Sequence, residues 1–544
     1  MAKFYITTPI YYVNDAPHIG HAYTSIICDS LARLRRLKGD EVKFLTGTDE
    51  HGQKVEKSAI KNDKTPQEFC DEVSIKFRNL ADFLNISYDD FIRTTQDRHK
   101  KTAQIFWQKL EKNGWIYKDI YEGWYCVRDE AFYNEDELIN NKAPTGAEVE
   151  WHKEESYFFK LSKFQDILLK IYDQFDGFIE PQSKKNEVIS FVAGGKEYVK
   201  GNLKDLSISR TSFKWGIQVP NAQNHIMYVW LDALTNYLSA LNYPDGQDFK
   251  DFWQSRDSKK IHIVGKDILR FHAVYWPAFL MASKYNQDEL SEIIKKDNLS
   301  DDLLTILPNQ IFAHGWWTNE GEKISKSVGN IIDPYKEIEW LQTFGISQEL
   351  AIDYFRYFLN KEIIIGNDGD YSRERFLTRI NSELANNIGN LAQRSLSMIF
   401  KNNDGFLVAK ANFDEESIKL LEESKKITEE ILKCNFNAHD SYLILDQIIN
   451  LGNLANVYME NKAPWGLKKE GKIEEMNNVL YVAAQIVRKI AILLLAFTPK
   501  SANKILDLFN IPQSERNFAN LENPLKFGSK INEPTPIFLR LNKQ

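Results

Sequence analysis

Pro17-His18-Ile19-Gly20-His21 stands where an apolar extended run gives way to a helical pattern, and its reading decides the fold. Upstream, Phe4-Tyr5-Ile6-Thr7-Thr8-Pro9-Ile10-Tyr11-Tyr12-Val13 is β-branched and aromatic over most of its length, which predicts a buried strand with an irregular end at Pro9. Downstream, Ala22, Ile26, Leu31 and Leu34 fall at near-helical spacing, and Gly39 follows a basic last turn in the manner of a helix C-cap. Strand, tight loop and helix start place two imidazoles where backbone N–H groups already favour anions. His18 and His21 are suited to donate hydrogen bonds to phosphate oxygens, and Gly20 lets a ligand approach the backbone. Taken alone, the motif also fits two loop histidines that cap a helix.

Glu41-Val42-Lys43-Phe44-Leu45 predicts a short second strand, followed by a turn over Thr46-Gly47-Thr48-Asp49-Glu50-His51-Gly52. Strand, helix, strand is a βαβ unit, whose ligands gather at the carboxyl ends of the strands. The loop at 14–21 and the turn at 46–52 are therefore expected to face one crevice. Further helices are expected over 67–84 and 97–113, with a strand at 91–95 between them.

Much later comes Gly321-Glu322-Lys323-Ile324-Ser325-Lys326-Ser327-Val328-Gly329-Asn330. Two lysines three apart among Ser and Gly describe a cationic loop able to close over a polyphosphate and neutralise charge on a leaving pyrophosphate. The His-Ile-Gly-His and Lys-Ile-Ser-Lys-Ser pair, in this order and at this separation, resembles the two signature motifs of the class I aminoacyl-tRNA synthetases. The resemblance extends over nearly the whole chain and is nearest to the methionyl branch of that class.

Composition bounds the alternatives. A chain of 544 residues suggests three or four domains, and 43% hydrophobic with 27% charged residues is a globular balance. Met1-Ala2-Lys3 leads into no cleavable apolar core, and the longest apolar run, 490–497, is far short of a membrane span, so a cytoplasmic protein is expected. Cys28, Cys70, Cys126 and Cys434 show no paired spacing, which fits a reducing compartment. A net charge of −7 leaves room for a local basic face able to bind nucleic acid.

Along the chain the expected architecture is an α/β Rossmann-type nucleotide-binding domain with an inserted connective domain, followed by an all-α helix bundle that binds the anticodon. Residues 1–113 form the first half of the catalytic domain and 114–224 a short, aromatic, turn-rich insertion. Residues 225–320 form the second half, 321–372 the lysine loop and stem-contact region, and 373–544 the helical domain. In the bundle, segments 374–400, 415–432, 441–461 and 474–497 carry apolar residues at three and four spacing. Glu154-Glu155-Ser156-Tyr157-Phe158-Phe159-Lys160-Leu161 looks like a segment methionyl enzymes carry in the insertion. Many relatives bind zinc there through Cys-x-x-Cys pairs. Here Cys126 keeps one position while Asp129 stands where its partner would be, so no structural zinc and no other resident metal is expected.

The resemblance implies a methionine–tRNA ligase that uses ATP with Mg2+, forms methionyl-adenylate and transfers it to tRNA-Met, with initiator and elongator tRNA as partners, through the 2′-hydroxyl. It implies phosphate contacts from His18, His21, Lys323 and Lys326, and nucleotide contacts from Gly20, Gly265, Lys266, Asp267, Ser325 and Ser327. The methionine pocket falls on Ile10, Tyr12, Asp49, Trp230, Ala233, Tyr237, Ile268, Phe271, His272 and Trp276. Physically the set is coherent: Asp49 suits the α-ammonium, and aromatic walls suit a polarizable thioether. Leu234 departs from the family, where proline is frequent. Asn390, Arg394 and Trp465 match the anticodon-reading positions; Asn390 and Arg394 are four apart on one helix face, and a tryptophan beside Pro464 can stack an unpaired base. Some relatives carry a further tRNA-binding, dimerising domain after the bundle, so a monomer is expected from the end at Gln544. The rival readings are a nucleotidyltransferase of the same superfamily and a catalytically silent tRNA-binding protein. Both explain less, since neither needs the two phosphate motifs and the bundle together.

Activation needs alignment and charge neutralisation rather than a general base, because the attacking carboxylate is already ionised. Lys326→Ala is therefore expected to lose roughly 3 kcal/mol of transition-state stabilisation. A near-normal activation rate in pyrophosphate exchange would refute that role.

Overall fold

Alternating apolar strands and helices in the first half of the chain assemble a parallel sheet. The structure, a computed structural model, describes residues 2–13, 16–128, 131–133, 135–324, 330–410 and 412–542. Two units emerge: residues 2–17 with 42–314, and residues 18–41 with 315–544.

In the first unit the sheet has seven strands among the described residues: β1 (Lys3–Thr7), β2 (Tyr11–Tyr12), β3 (Glu41–Asp49), β4 (Asp90–Arg93), β5 (Ile179–Glu180), β6 (Ser258–Gly265) and β7 (Gln310–His314). Their order is β2-β3-β1-β6-β7-β5, with β4 also paired to β3. Lys3 lies opposite Ser258 and Thr7 opposite His262 in the parallel β1–β6 pair, and Gly265 lies opposite His314 in β6–β7. A parallel sheet is covered on both faces, so its strands are apolar almost throughout. Phe4, Tyr5 and Ile6, then Ile261, Ile263 and Val264, then Ile311, Phe312 and Ala313 are all buried. The strand expected across residues 4–13 is split into β1 and β2, with Pro9 in the gap.

β3 departs from the expectation. It runs nine residues to Asp49, so Thr46-Gly47-Thr48-Asp49 is strand, and the turn starts only at Glu50. Two threonines favour the extended backbone. Gly47 lets β4 lie flat against it, since a Cβ there would come 2.0 Å from the Ile92 carbonyl oxygen. β1 lies between β3 and β6, which makes the carboxyl ends of these strands the topological switch point where ligands bind in open α/β sheets.

The stretch 114–224 folds mainly around a long antiparallel ribbon, Ile116–Cys126 against Glu150–Phe159. Its β5 nevertheless pairs with β7 of the parallel sheet, Ile179 opposite Ile311.

The second unit is helical. Glu415–Lys433, Asp440–Lys462 and Ile473–Leu494 lie where the periodicity puts helices. The helix expected across 374–400 is present and runs unbroken over 373–403, with a wide-turned middle, Ile380–Gly389, between Arg373–Arg379 and Asn390–Asn403. In the wide stretch Asn387 is buried and donates its amide to the Ile449 carbonyl and Asn453 Oδ1, contacts absent from a side-chain periodicity. Ile473–Leu494 has the length and hydropathy of a membrane span, yet 94% of that window is buried by its neighbours, which is why it is apolar on every side.

The Ile19–Lys38 helix is part of this unit. Ala22, Ile26, Leu31 and Leu34 are buried, and Gly39 closes the helix at φ 95°. Asp29, fully buried, accepts from Arg33 Nε at 2.7 Å and from Arg356 Nη2 at 2.5 Å. Arg356, equally buried, also donates to the Phe497 and Ala496 carbonyls. Removing one partner of such a pair strands the other in a low dielectric. Arg356→Ala is expected to lower stability by about 3 kcal/mol, read as a lower urea midpoint for this unit.

Candidate active site

The two motif histidines build the start of their helix. His18 Nδ1 accepts the Gly20 N–H at 3.1 Å, and His21 Nδ1 accepts the His18 N–H at 3.0 Å, a reciprocal cap made of two imidazoles. A backbone N–H only donates, so each Nδ1 is an acceptor and each neutral ring carries its proton on Nε2. Burial, and after it the neighbouring His18, hold His21 well below the usual imidazole range.

This corrects the expectation that the first N–H groups of the helix face a ligand. Ile19 N–H is bound to the Ile332 carbonyl at 3.0 Å, Gly20 N–H to His18, and His21 N–H to the His18 carbonyl. The room left by Gly20 is also taken within the protein, since a Cβ there would sit 2.9 Å from His18 Cε1. The imidazoles, rather than the amides, carry the donors.

The Ile332 contact ties the second motif to the first. On its entry side, Trp317–Asn319 pairs antiparallel with Glu322–Lys323 and parallel with Gly369–Tyr371. Asp370 Oδ1 accepts the Gly321 N–H and the Thr318 hydroxyl, both at 2.7 Å, fixing the tight turn at Glu320 and Gly321. On its exit side the Asn330 carbonyl accepts from Asn319 Nδ2 at 3.1 Å. Lys323 thus stands on a fixed hairpin, while Ser325, Lys326 and Ser327 lie outside the described residues.

In the sheet unit the amino-acid set gathers beyond the strand ends. Trp230 lies face to face with Phe271, ring centroids 3.7 Å apart, and edge-on to His272. His272 Nδ1 donates to the Ile268 carbonyl at 3.0 Å, so Nε2 is the acceptor for the Tyr237 hydroxyl at 2.7 Å. Burial lowers His272 to about 4, keeping this wall uncharged. Ile10 and Tyr12 pack half-buried against the same core, and Ala233 is buried. Trp276 is fully buried behind Tyr237, its indole N–H directed to His262 Nε2 at 3.3 Å. His262 Nδ1 therefore donates to Thr7 Oγ1, at 2.8 Å, and locks the layer behind the wall to β1. Past β6, Gly265 leaves space for Asp267, whose Oδ1 would stand 2.6 Å from a Cβ; Lys266 is half-buried and Asp267 exposed.

Asp49 ends β3 and is buried, followed by two more buried ionisable groups. Glu50 takes both forks of Arg93 and the hydroxyls of Thr48 and Thr95. Its N–H is held by Thr94 and its carbonyl by Trp215 and Cys70. His51 Nδ1 meets Asp232 Oδ2 at 2.7 Å, and the other oxygen of Asp232 meets His99 Nε2, also at 2.7 Å. Burial alone would raise Asp232, but the two histidines outweigh it and hold the carboxyl down to about 2. Sequence reasoning missed Glu50, His51, Arg93, His99 and Asp232. The available signal was three ionisable residues in a row at a strand end, which demands partners.

In the helical unit Arg394 lies with its guanidinium 4.7 Å from the Trp465 ring and 4.0 Å from Glu460. Trp465 is 39% exposed, presented by the left-handed Ala463 that precedes Pro464. Asn390 is exposed one turn before Arg394. In the insertion Cys126 is buried among Tyr133, Ala143 and Ala147, and Asp129 lies outside the described residues. Among the described residues no three His, Cys, Asp or Glu side chains are grouped to hold a metal.

A family model described as tRNA synthetases class I (M) matches residues 4–148 and 134–396. Similar sequences include the methionine–tRNA ligases of Rickettsia felis, 51% identical with 99% of this chain and 98% of the relative covered, and of Brucella suis, 45% identical with the same coverage. Among solved structures, Mycobacterium tuberculosis methionyl-tRNA synthetase in complex with methionyl-adenylate matches with a TM-score of 0.89 and 42% identity, over 99% of this chain and 100% of that one. With a Rossmann-type sheet, the two signature motifs and a helical C-terminal region, the chain is a class I aminoacyl-tRNA synthetase. Within that class, the chain belongs to the methionyl-tRNA synthetase family.

The cap geometry makes a direct prediction. Nitrogen-15 NMR of histidine-labelled protein at pH 8 is expected to show His18 and His21 as Nε2–H tautomers, and Gly20→Ala, which evicts the His18 ring, is expected to abolish the His18 assignment. An Nδ1–H signal from either ring in the unsubstituted protein would refute the cap.

Proposed function

We propose that this chain activates L-methionine with ATP and transfers it to tRNA-Met. One observation carries the choice of amino acid: the wall formed by Trp230, Phe271, Tyr237 and His272 is aromatic, polar at one point and uncharged. Such a surface favours a polarizable thioether and offers nothing to an acidic or basic side chain. Asp49 supplies the one counter-charge, suited to the substrate ammonium, with Ile10, Tyr12, Ala233 and Ile268 completing the pocket and Trp276 backing Tyr237 from behind.

In the first step a carboxylate oxygen of methionine attacks the α-phosphorus of ATP, and the bond to the departing pyrophosphate breaks. No side chain has to remove a proton. His18 and His21 donate Nε2–H to phosphate oxygens, Lys323 and Lys326 neutralise the charge that builds on pyrophosphate, and Ser325 and Ser327 add hydroxyl donors. Gly265, Lys266 and Asp267 contact the nucleoside, and Mg2+ accompanies ATP. In the second step the terminal ribose hydroxyl of the tRNA attacks the adenylate carbonyl and AMP leaves. Asn390, Arg394 and Trp465 read the anticodon of tRNA-Met, Trp465 by stacking and Arg394 holding its ring. The enzyme works as a cytoplasmic monomer without structural zinc or membrane attachment.

The test is exchange of labelled pyrophosphate into ATP with methionine, leucine, isoleucine, valine and cysteine in parallel. Exchange with methionine alone is expected; exchange led by another amino acid, or with none, would overturn the assignment.

A further inference from the structure

We propose that Asp232 is a positioning residue for methionine activation, acting through His51 on the strand-end loop that carries Asp49. The inference rests on the reading of that loop and the Trp230 wall as the amino-acid site.

Asp232 has no exposure and touches neither end of the chemistry itself. It sits on the short helix Val229–Leu234, two residues from Trp230 and next to Ala233. One carboxylate oxygen receives His51 Nδ1–H and the other His99 Nε2–H, each at 2.7 Å. His51 is two residues beyond Asp49, and its backbone carbonyl accepts the Tyr12 hydroxyl at 3.1 Å. Its ring stands edge-on to Trp215, centroids 5.5 Å apart, and Trp215 in turn donates to the Glu50 carbonyl. A single buried carboxylate therefore joins the helix bearing the aromatic wall to the loop bearing the ammonium-binding carboxylate and to Tyr12.

His99 completes the device. Its Nδ1 lies 3.0 Å from Ser239 Oγ, which is also 3.0 Å from the Thr235 carbonyl. Ser239 thus anchors the far side of the His99 ring to the Thr235 carbonyl, on the segment that follows Asp232, and keeps Nε2 aimed at the carboxylate. A buried ionic group of this kind adds little net stability over apolar packing of the same volume, and its retention is explained by the geometry it fixes.

The experiment is steady-state pyrophosphate exchange with Asp232→Asn, Tyr12→Phe and the double variant, each checked for folding by circular dichroism. Asparagine offers one acceptor where two imidazole N–H groups need two. Asp232→Asn is expected to raise KM for methionine roughly tenfold, the loss of about one hydrogen bond, with KM for ATP within about twofold. Because Tyr12 and Asp232 act on the same loop, the double variant is expected to fall short of the product of the single effects. Equal rises for methionine and ATP, an unchanged methionine KM, or effects that multiply would each overturn the proposal. Should Asp232→Asn fail to fold, His99→Gln decides: a methionine-selective rise supports the role, and an unselective one sinks it. Absence of methionine exchange by the unsubstituted enzyme would instead show that the reading of the site had failed.

Discussion

A parallel sheet covered on both faces admits an ionisable group only with a partner, as for Lys260 and His262 within β6, so most of its polar chemistry is confined to the strand ends. That confinement governs the sheet unit. At the end of β3 three consecutive ionisable residues, Asp49, Glu50 and His51, are all buried, and an isolated charge there would cost several kcal/mol. Arg93, Thr48 and Thr95 answer Glu50, while Asp232 answers His51 and is itself answered by His99. Satisfying the charges also ties down the loop, so the same contacts that make burial tolerable fix the backbone after Asp49 and the Tyr12 hydroxyl that bonds to it. Preorganisation is here a by-product of desolvation.

The helical unit meets the opposite problem, an excess of backbone donors at a helix start. Serine or aspartate would ordinarily cap them. Here His18 and His21 do so, and capping fixes their tautomers, so one set of hydrogen bonds both finishes the helix and decides which ring nitrogen carries the proton. The hairpin at Trp317–Asn319 and the Ile332 carbonyl then hold both stems of the lysine loop, the latter directly on Ile19.

What could be read from residues alone was what is encoded locally. Pro9 announced the break between β1 and β2, Gly39 the end of the histidine helix, and three-and-four spacing the helices at Glu415–Lys433, Asp440–Lys462 and Ile473–Leu494. The motif pair identified the class because both motifs are short and contiguous. The true extent of β3 was hidden because Thr-Gly-Thr-Asp has turn composition, and only the close approach of Ile92 makes Gly47 a strand residue. The Gln53–Lys61 helix went unread, and a two-residue strand such as Ile179–Glu180 has no periodicity to read. Asp232 was invisible for a different reason: its partners lie 181 and 133 residues away, and nothing in one sequence marks a pair at that distance. The tautomers of His18 and His21 likewise required atomic positions.

The Asp29–Arg356 pair has a consequence for synthesis. Its partners are 327 residues apart in the chain, on a helix near the N-terminus and one far beyond the sheet. At roughly 5–20 residues per second, a ribosome delivers Arg356 about 16–65 seconds after Asp29. Throughout that interval Asp29, on a helix made among the first elements, has Arg33 of its own helix but lacks Arg356. The Ile19–Lys38 helix therefore waits through more than half of translation before its buried ion pair with Arg356 can close.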